Sequence, residues 1–270
     1  MGKLDQIKAK QVAHQAAIDA GEEPPEVEVV ASKPVSQMRV NKLDQIKAKQ
    51  QKTKKKEPAT VTPALKQQGK IPTLPIAQTA LAVDLGKLKE VKDLDEKCKI
   101  KRTVLPTYLP YVNHYVKAGE KHPNDVAVQV MIWQFDVDDI EDAVNLALHL
   151  IEQGVHQMPE RFKRRDLETF VCDAMYDWAN NLLKNTEHGA SPYLDVLVDT
   201  LRKDKWSLAP MVESKCYVML AKHKVRAGDD VKALELCHWA EEANPEGAGV
   251  NTLKKKIQKR LEKLAKEKTE

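Results

Sequence analysis

The chain has 270 residues, enough for one or two folded domains, and its ten glycines, 5% aromatic content and long stretches of Lys, Glu, Ala and Leu are typical of a mainly helical protein. It has no run of about 18 uncharged apolar residues and no apolar block after its first lysines, so the sequence predicts neither a membrane span nor a secretory signal. The net charge of +4 is unevenly distributed: residues 41–56 carry +6, residues 253–270 carry +5, and the rest of the chain carries −7. This distribution favours binding of phosphates by two basic segments.

An identical nine-residue segment, KLDQIKAKQ, occurs at residues 3–11 and again at residues 42–50. In each copy a Leu and an Ile lie on one helical face and lysines on the other, which predicts a basic amphipathic helix too short to be stable alone. Such a helix would order on DNA or a partner, and two copies would give two weak grips, although a recent duplication without a function gives the same pattern. The lysines predicted here to contact DNA phosphates are Lys3, Lys8, Lys10, Lys42, Lys47, Lys49, Lys52, Lys54, Lys55 and Lys56.

Prolines interrupt the chain between and after the two copies. Residues 22–35 and 57–79 lack helical periodicity, and their prolines would break a helix. Residues 1–79 are therefore predicted to form a flexible basic arm, and the folded body is expected from about residue 80.

A regular apolar stripe follows this arm. Leucines recur in steps of three and four through a charged segment, which predicts a long amphipathic helix or coiled-coil seam over residues 80–105 that ends near Pro106. Such a stripe must be covered, either by the chain's own helices or by neighbouring subunits, and we expect it to help form a homo-oligomer. The oligomerisation candidates are Leu81, Leu85, Leu88 and Leu94.

Residues 106–270 show helical periodicity without convincing period-two alternation, so the body is predicted to be all-α. Two segments share one plan, a helix, an acidic turn and a second helix, in which Asp139 and Asp229 each precede an alanine by four residues. Alanines let paired helices approach closely, so both segments are predicted to be packed hairpins of a tetratricopeptide-like kind. The predicted helices span about 111–117, 124–135, 140–153, 165–183, 192–203, 211–225, 230–243 and 250–268.

The last predicted helix is the second basic extremity of the chain. Residues 253–270 carry eight basic and three acidic residues, so this helix is expected to contact phosphates. Three of its lysines are added to the DNA-binding candidates: Lys254, Lys255 and Lys256.

One carboxylate cluster supplies the candidate catalytic residues. Metal-dependent DNA cleavage needs two or more carboxylates that converge on Mg²⁺, and in the cluster at 136–142 the candidates are Asp136 and Asp139. The same acids have a structural explanation, because Asp139 can cap a helix whose first turn favours negative charge. The sequence lacks a GxxxxGKS or GxxxxGKT phosphate loop, a CxxC pair and an HExxH motif. We therefore predict no metal site and no cofactor, with Mg²⁺ required only if the nuclease hypothesis holds.

Several central segments together resemble one known family, the small terminase subunit of temperate contractile-tailed phages that package DNA with cohesive ends. The resemblance lies in the order and spacing of the segments and covers roughly residues 80–262. They are Leu105–Val112 (LPTYLPYV), Asn124–Val126, Val130–Asp136 (VMIWQFD), Asp139, Ala143, His156–Phe162 (HQMPERF) and the later turn Arg226–Asp229 with Lys232–Glu235.

The resemblance implies a role in genome packaging in the host cell cytoplasm. A small subunit of this family recognises double-stranded viral DNA near its packaging site, commonly as an oligomer such as a ring. It then presents the DNA to the large terminase subunit, which holds the ATP-driven motor. The family has often been labelled the endonuclease subunit of terminase, so a metal-dependent nuclease that cuts cohesive-end sites is the competing hypothesis. A helical scaffold that binds only proteins is a third.

Overall fold

Helices make up most of the described part of the chain. The computed structural model describes residues 71–162, 164–186 and 188–267, in which it has nine α-helices, one 3-10 turn at Glu160–Phe162 and no β-strand. The predicted all-α fold is therefore confirmed. The helices are α1 Leu74–Glu90, α2 Leu94–Ala118, α3 Asp125–Asp136, α4 Ile140–Gln153, α5 Leu167–Asn185, α6 Tyr193–Lys203, α7 Pro210–Arg226, α8 Asp230–Ala243 and α9 Asn251–Glu267.

The helix predicted over residues 80–105 is two helices, α1 and α2, separated by residues 91–93. Helix α2 has a start of its own, because the Asp93 side chain accepts a hydrogen bond of 2.7 Å from the Glu96 N–H. The predicted helix end at Pro106 is wrong, since α2 continues through Pro106 and Pro110 to Ala118. A proline costs about 3 kcal/mol inside a helix. Burial of an apolar face offsets this cost, and its members are Val104, Leu105, Tyr108, Tyr111, Val112 and Tyr115.

Helix α3 is the centre of the first hairpin and is buried on all sides. Its ten consecutive residues from Val126 to Phe135 are all buried, Trp133 completely. Helices α1, α2 and α4 pack around it. A helix that is apolar all round must be enclosed in this way, so α3 anchors this half of the core.

The acidic turns of the two predicted hairpins have the same geometry. Asp138 and Gly228 both have a left-handed backbone, with φ of 60° and 82°. The next N–H, that of Asp139 or Asp229, donates 2.9 Å to the carbonyl five residues earlier in both turns. Ala143 and Ala233 are completely buried where the paired helices meet. Both predicted hairpins, α3–α4 and α7–α8, are therefore present, and their tetratricopeptide-like character stays a prediction.

The capping prediction for Asp139 needs a correction. Asp139 occupies the N-cap position of α4, as predicted, but its side chain makes no capping hydrogen bond. In the second hairpin the Asp229 carboxylate does accept a bond of 3.1 Å, from the Lys232 N–H. The first turn of α4 still contains Glu141 and Asp142, which complement the positive end of the helix dipole.

The second hairpin holds the C-terminal helices. Helix α7 packs against α5, α6 and α8, and α9 packs against α8. Helix α9 is attached along one narrow stripe, with Ile257 buried and Leu253 and Leu261 against the core, while most of its other residues are exposed. Among the helices described, none combines the length and apolar character needed to cross a membrane.

Candidate nucleic-acid interface

Most lysines predicted to bind DNA precede the described residues. Lys3, Lys8, Lys10, Lys42, Lys47, Lys49, Lys52, Lys54, Lys55 and Lys56 all lie before residue 71, where the description begins. The structure therefore bears only on the C-terminal candidates, which α9 carries.

Helix α9 places its three predicted lysines in different surroundings. The Lys254 Nζ lies 2.6 Å from Glu241 Oε2 on α8, so this lysine serves to attach α9 to the body. Lys255 and Lys256 are exposed, and no described carboxylate lies within ion-pair distance of either. Lys259 is exposed in the same way and was not among the predicted residues. The exposed basic face of α9 thus begins at Lys255.

A basic cleft lies between α5, α7 and α9, with a volume of about 480 Å³. Its apolar lining comes from one residue of each helix, Leu183, Val225 and Leu253. Its four remaining lining residues are all cationic, and none is acidic: Lys222, Arg226, Lys256 and Arg260. Sequence analysis missed this cleft because Lys222 and Arg226 lie about thirty residues before α9, and only packing of α9 brings them together.

The two arginines of the cleft are held by the protein itself. Arg260 Nε lies 3.0 Å from Oδ2 of Asp230, a carboxylate that is only 2% exposed. The Arg226 guanidinium donates to the carbonyls of Leu182 (3.2 Å) and Thr186 (2.9 Å) at the end of α5. The arginines therefore have fixed positions, whereas Lys222 and Lys256 are exposed lysines of the cleft lining.

A buried histidine supports the α7 side of the cleft. His223 is 3% exposed; its Nδ1 accepts the Ala190 N–H at 3.3 Å, and its Nε2 lies 2.9 Å from the Ala179 carbonyl. These contacts require a neutral ring with the proton on Nε2. Burial is the main cause that lowers the pKa of His223 below its ordinary value, and the nearby Arg226 charge adds to it.

The candidate nuclease carboxylates Asp136 and Asp139 belong to no group of three potential metal ligands among the described residues. Asp136 Oδ2 pairs with Lys101 Nζ of α2 at 2.7 Å. Throughout the described ranges no group of three or more His, Cys, Asp or Glu side chains could hold a metal ion. The arrangement of Asp136 fits a tether between α2 and the end of α3.

The oligomerisation candidates do not share one surface. Leu81 and Leu88 are buried against α2 and α3, and Leu85 is half-buried. Leu94 belongs to α2 and is 74% exposed. The fully buried Asp84 on the same face of α1 accepts a hydrogen bond of 2.7 Å from the Tyr108 hydroxyl. The chain's own helices thus cover Leu81 and Leu88, Leu85 is partly accessible, and Leu94 is the most exposed of the four candidates.

Comparison with known proteins places the chain in one family. The model of the phage small terminase subunit family matches residues 78–208. The chain is 31% identical over 207 residues to the probable terminase, endonuclease subunit, of Haemophilus phage HP1, an alignment that covers 71% of each chain. It is also 33% identical over 84 residues to the terminase, endonuclease subunit, of Escherichia phage P2, covering 31% of this chain and 34% of that protein. No solved structure matches the chain significantly. The chain therefore belongs to the phage small terminase subunit family and takes part in packaging phage DNA.

Proposed function

We propose that this chain binds double-stranded viral DNA through its basic extremities and presents it to the large terminase subunit in the cytoplasm of the infected host. The family implies contact with DNA and the large subunit in general terms. Lysines of the N-terminal arm and of α9 are the proposed contacts. The observation that carries the proposal is the exposed basic face of α9, whose Lys255, Lys256 and Lys259 project from a body that is acidic overall.

Phosphate contacts make a specific prediction about salt. Each neutralised phosphate releases condensed counterions, so the logarithm of the binding constant falls with the logarithm of salt by roughly 0.9 per contact. Deletion of residues 1–56 removes all ten predicted arm lysines. We expect the deletion to weaken binding to duplex DNA and to flatten the salt slope, measured by fluorescence anisotropy at several salt concentrations.

A matched control separates the arm from a general loss of charge. Replacing the same arm lysines by glutamine keeps the length of the chain and should reproduce the effect of the deletion. Unchanged DNA affinity in both variants would exclude the arm and leave α9 as the remaining contact.

The names of the relatives make DNA cleavage the second candidate activity, since both are called endonuclease subunits. We propose that Asp136 and Asp139 act structurally, because Asp136 is paired with Lys101 and Asp139 begins α4. Purified protein is incubated with supercoiled DNA and Mg²⁺ or Mn²⁺, beside the double variant Asp136→Asn/Asp139→Asn. If the wild type nicks DNA only with the metal, and the folded double variant no longer does so, the chain is a metal-dependent nuclease. Absence of nicking in both supports the structural role.

We also propose that the chain assembles into a homo-oligomer, with Leu94 as the accessible part of the predicted seam. A large apolar side chain that is 74% exposed loses little within the monomer when it is replaced. Leu94→Asp should therefore stay folded and show a lower mass by light scattering than the wild type. Leu88→Asp is the contrasting variant and should unfold, because Leu88 lies in the monomer core. An unchanged mass for Leu94→Asp would place the contact elsewhere.

A further inference from the structure

The cleft between α5, α7 and α9 has the features of a preformed anion site. Four cations surround it without an acidic lining residue. The two arginines are already fixed by Asp230 and by carbonyls of α5, so they lose little side-chain freedom when an anion binds. Arg260 also donates 3.4 Å to the Val225 carbonyl and so offsets the negative end of the α7 dipole, which would otherwise repel an anion.

We propose that this cleft clamps a sugar-phosphate segment of duplex DNA, with a phosphate between the ammonium groups of Lys222 and Lys256. The apolar lining of Leu183, Val225 and Leu253 would face the carbon atoms of a deoxyribose. The proposal rests on the proposed DNA-binding function and adds a fixed contact on the folded body, separate from the N-terminal arm. The four cationic residues of the cleft lie beyond residues 78–208, the part matched by the family model, whereas Leu183 lies within it.

The basic face of α9 favours a long polyanion over a short acidic peptide as the occupant. From Lys256 the row of exposed lysines continues along the helix to Lys259 and Lys263. With a rise of 1.5 Å per residue, Lys263 lies roughly 10 Å along the helix from Lys256. A short peptide that is confined to the cleft does not reach Lys263, whereas a phosphate backbone continues past the cleft with one negative charge about every 3.4 Å along each strand.

The test uses the full chain with the two free lysines reversed, Lys222→Glu/Lys256→Glu. The matched control is Lys117→Glu/Lys121→Glu, which changes the net charge equally at two exposed lysines of the region where α2 ends. Circular dichroism establishes that both variants are folded. Binding to a duplex of about 30 base pairs should weaken about tenfold or more in the cleft variant and less than about threefold in the control. The salt slope should become shallower by roughly one phosphate contact in the cleft variant alone.

A second measurement detects contact directly. In the wild type, bound duplex DNA should protect Lys222 and Lys256 from acetylation, read by mass spectrometry, and leave Lys117 and Lys121 unprotected. If the wild type binds DNA but the cleft variant behaves like the control, the clamp is wrong while the proposed function stands. If the wild type does not bind DNA at low salt, both fail. A synthetic peptide of glutamate and leucine residues tests the alternative occupant. If the cleft variant alone loses binding to this peptide while its DNA affinity is unchanged, the cleft belongs to a protein partner and the proposal is overturned.

Discussion

The hairpins α3–α4 and α7–α8 share a turn and differ in almost everything that surrounds it. When they are aligned on their turns, Ile132 in the first hairpin is equivalent to the exposed Lys222 in the second, and Asp136 is equivalent to Arg226. Ten consecutive residues of α3 are buried, whereas α7, which also packs against three helices, presents two cations to the cleft. The local geometry is thus repeated, and both hairpins contribute to the core, but only the first helix of the second hairpin also lines the cationic cleft.

The largest difference between the hairpins is expected when one tryptophan of each, buried Trp133 or half-buried Trp239, is replaced. Trp133→Ala should reduce the free energy of unfolding by about 3–5 kcal/mol, because it leaves a large cavity at a completely buried site. The comparison variant is Trp239→Ala, at a half-buried residue between Arg202 and Lys232, which should cost less than half as much. Urea unfolding followed by circular dichroism measures both. Equal losses would show that the first hairpin is not the dominant core.

A buried ion pair distinguishes the second hairpin. Asp230, 2% exposed, occupies the place of the buried Ile140 in the first hairpin and pairs with Arg260. Arg260→Gln should destabilise the protein by about 2 kcal/mol, since it leaves a buried carboxylate without its cation; the half-exposed guanidinium keeps this loss below that of a fully buried pair. The double variant Asp230→Asn/Arg260→Gln should recover part of this loss in the same unfolding assay. No recovery would mean that Arg260 stabilises α9 mainly by packing.

The two turns offer a smaller contrast. Gly228→Ala should cost about 1 kcal/mol, because a side chain is disfavoured at a φ of 82°. Asp138 already tolerates a φ of 60°, so Asp138→Gly should change the free energy of unfolding by only a few tenths of a kcal/mol. Thermal unfolding of the two single variants shows whether the left-handed turn residue costs the same free energy in both hairpins.

The smallest expected effect is on the pH dependence of stability. It concerns His223, which in the second hairpin is equivalent to Trp133 in the first. Because the pKa of His223 is lowered in the folded protein, the unfolded chain binds more protons, and stability falls as the pH drops through the ordinary histidine range of about 6.5. His223→Gln keeps a donor and an acceptor but cannot titrate. Its loss of stability between pH 7.5 and 5.5 should be smaller than that of the wild type. Parallel curves would show that His223 does not contribute.

Sequence patterns predicted the hairpins well because their signals are local. The predicted spans 140–153 and 230–243 agree with α4 and α8, where an acidic residue precedes a regular apolar stripe. The break between α1 and α2 was missed because the leucine spacing continues across it, although Asp93 followed three residues later by Glu96 is a recognisable helix start. Helix α2 was predicted too short because Pro106 normally ends a helix, and only tertiary burial outweighs that tendency.

The candidate site was predicted less completely, for a physical reason. A run such as Lys254–Lys256 reveals positive charge but not its partners, and Glu241, which pairs with Lys254, lies thirteen residues away on another helix. The cleft depends on residues of α5, α7 and α9 that meet only in the folded chain. Long-range packing therefore decides which lysines are free to meet a phosphate.

The salt dependence of duplex DNA binding by the full chain tests the central claim most directly. If the basic extremities and the cleft contact phosphates, affinity should fall steeply as salt rises, with a logarithmic slope of roughly −0.9 for each phosphate contacted. We predict a slope corresponding to several contacts, reduced separately by deletion of residues 1–56 and by Lys222→Glu/Lys256→Glu. An affinity that does not change with salt, or no binding to duplex DNA at the lowest salt tested, would contradict the account.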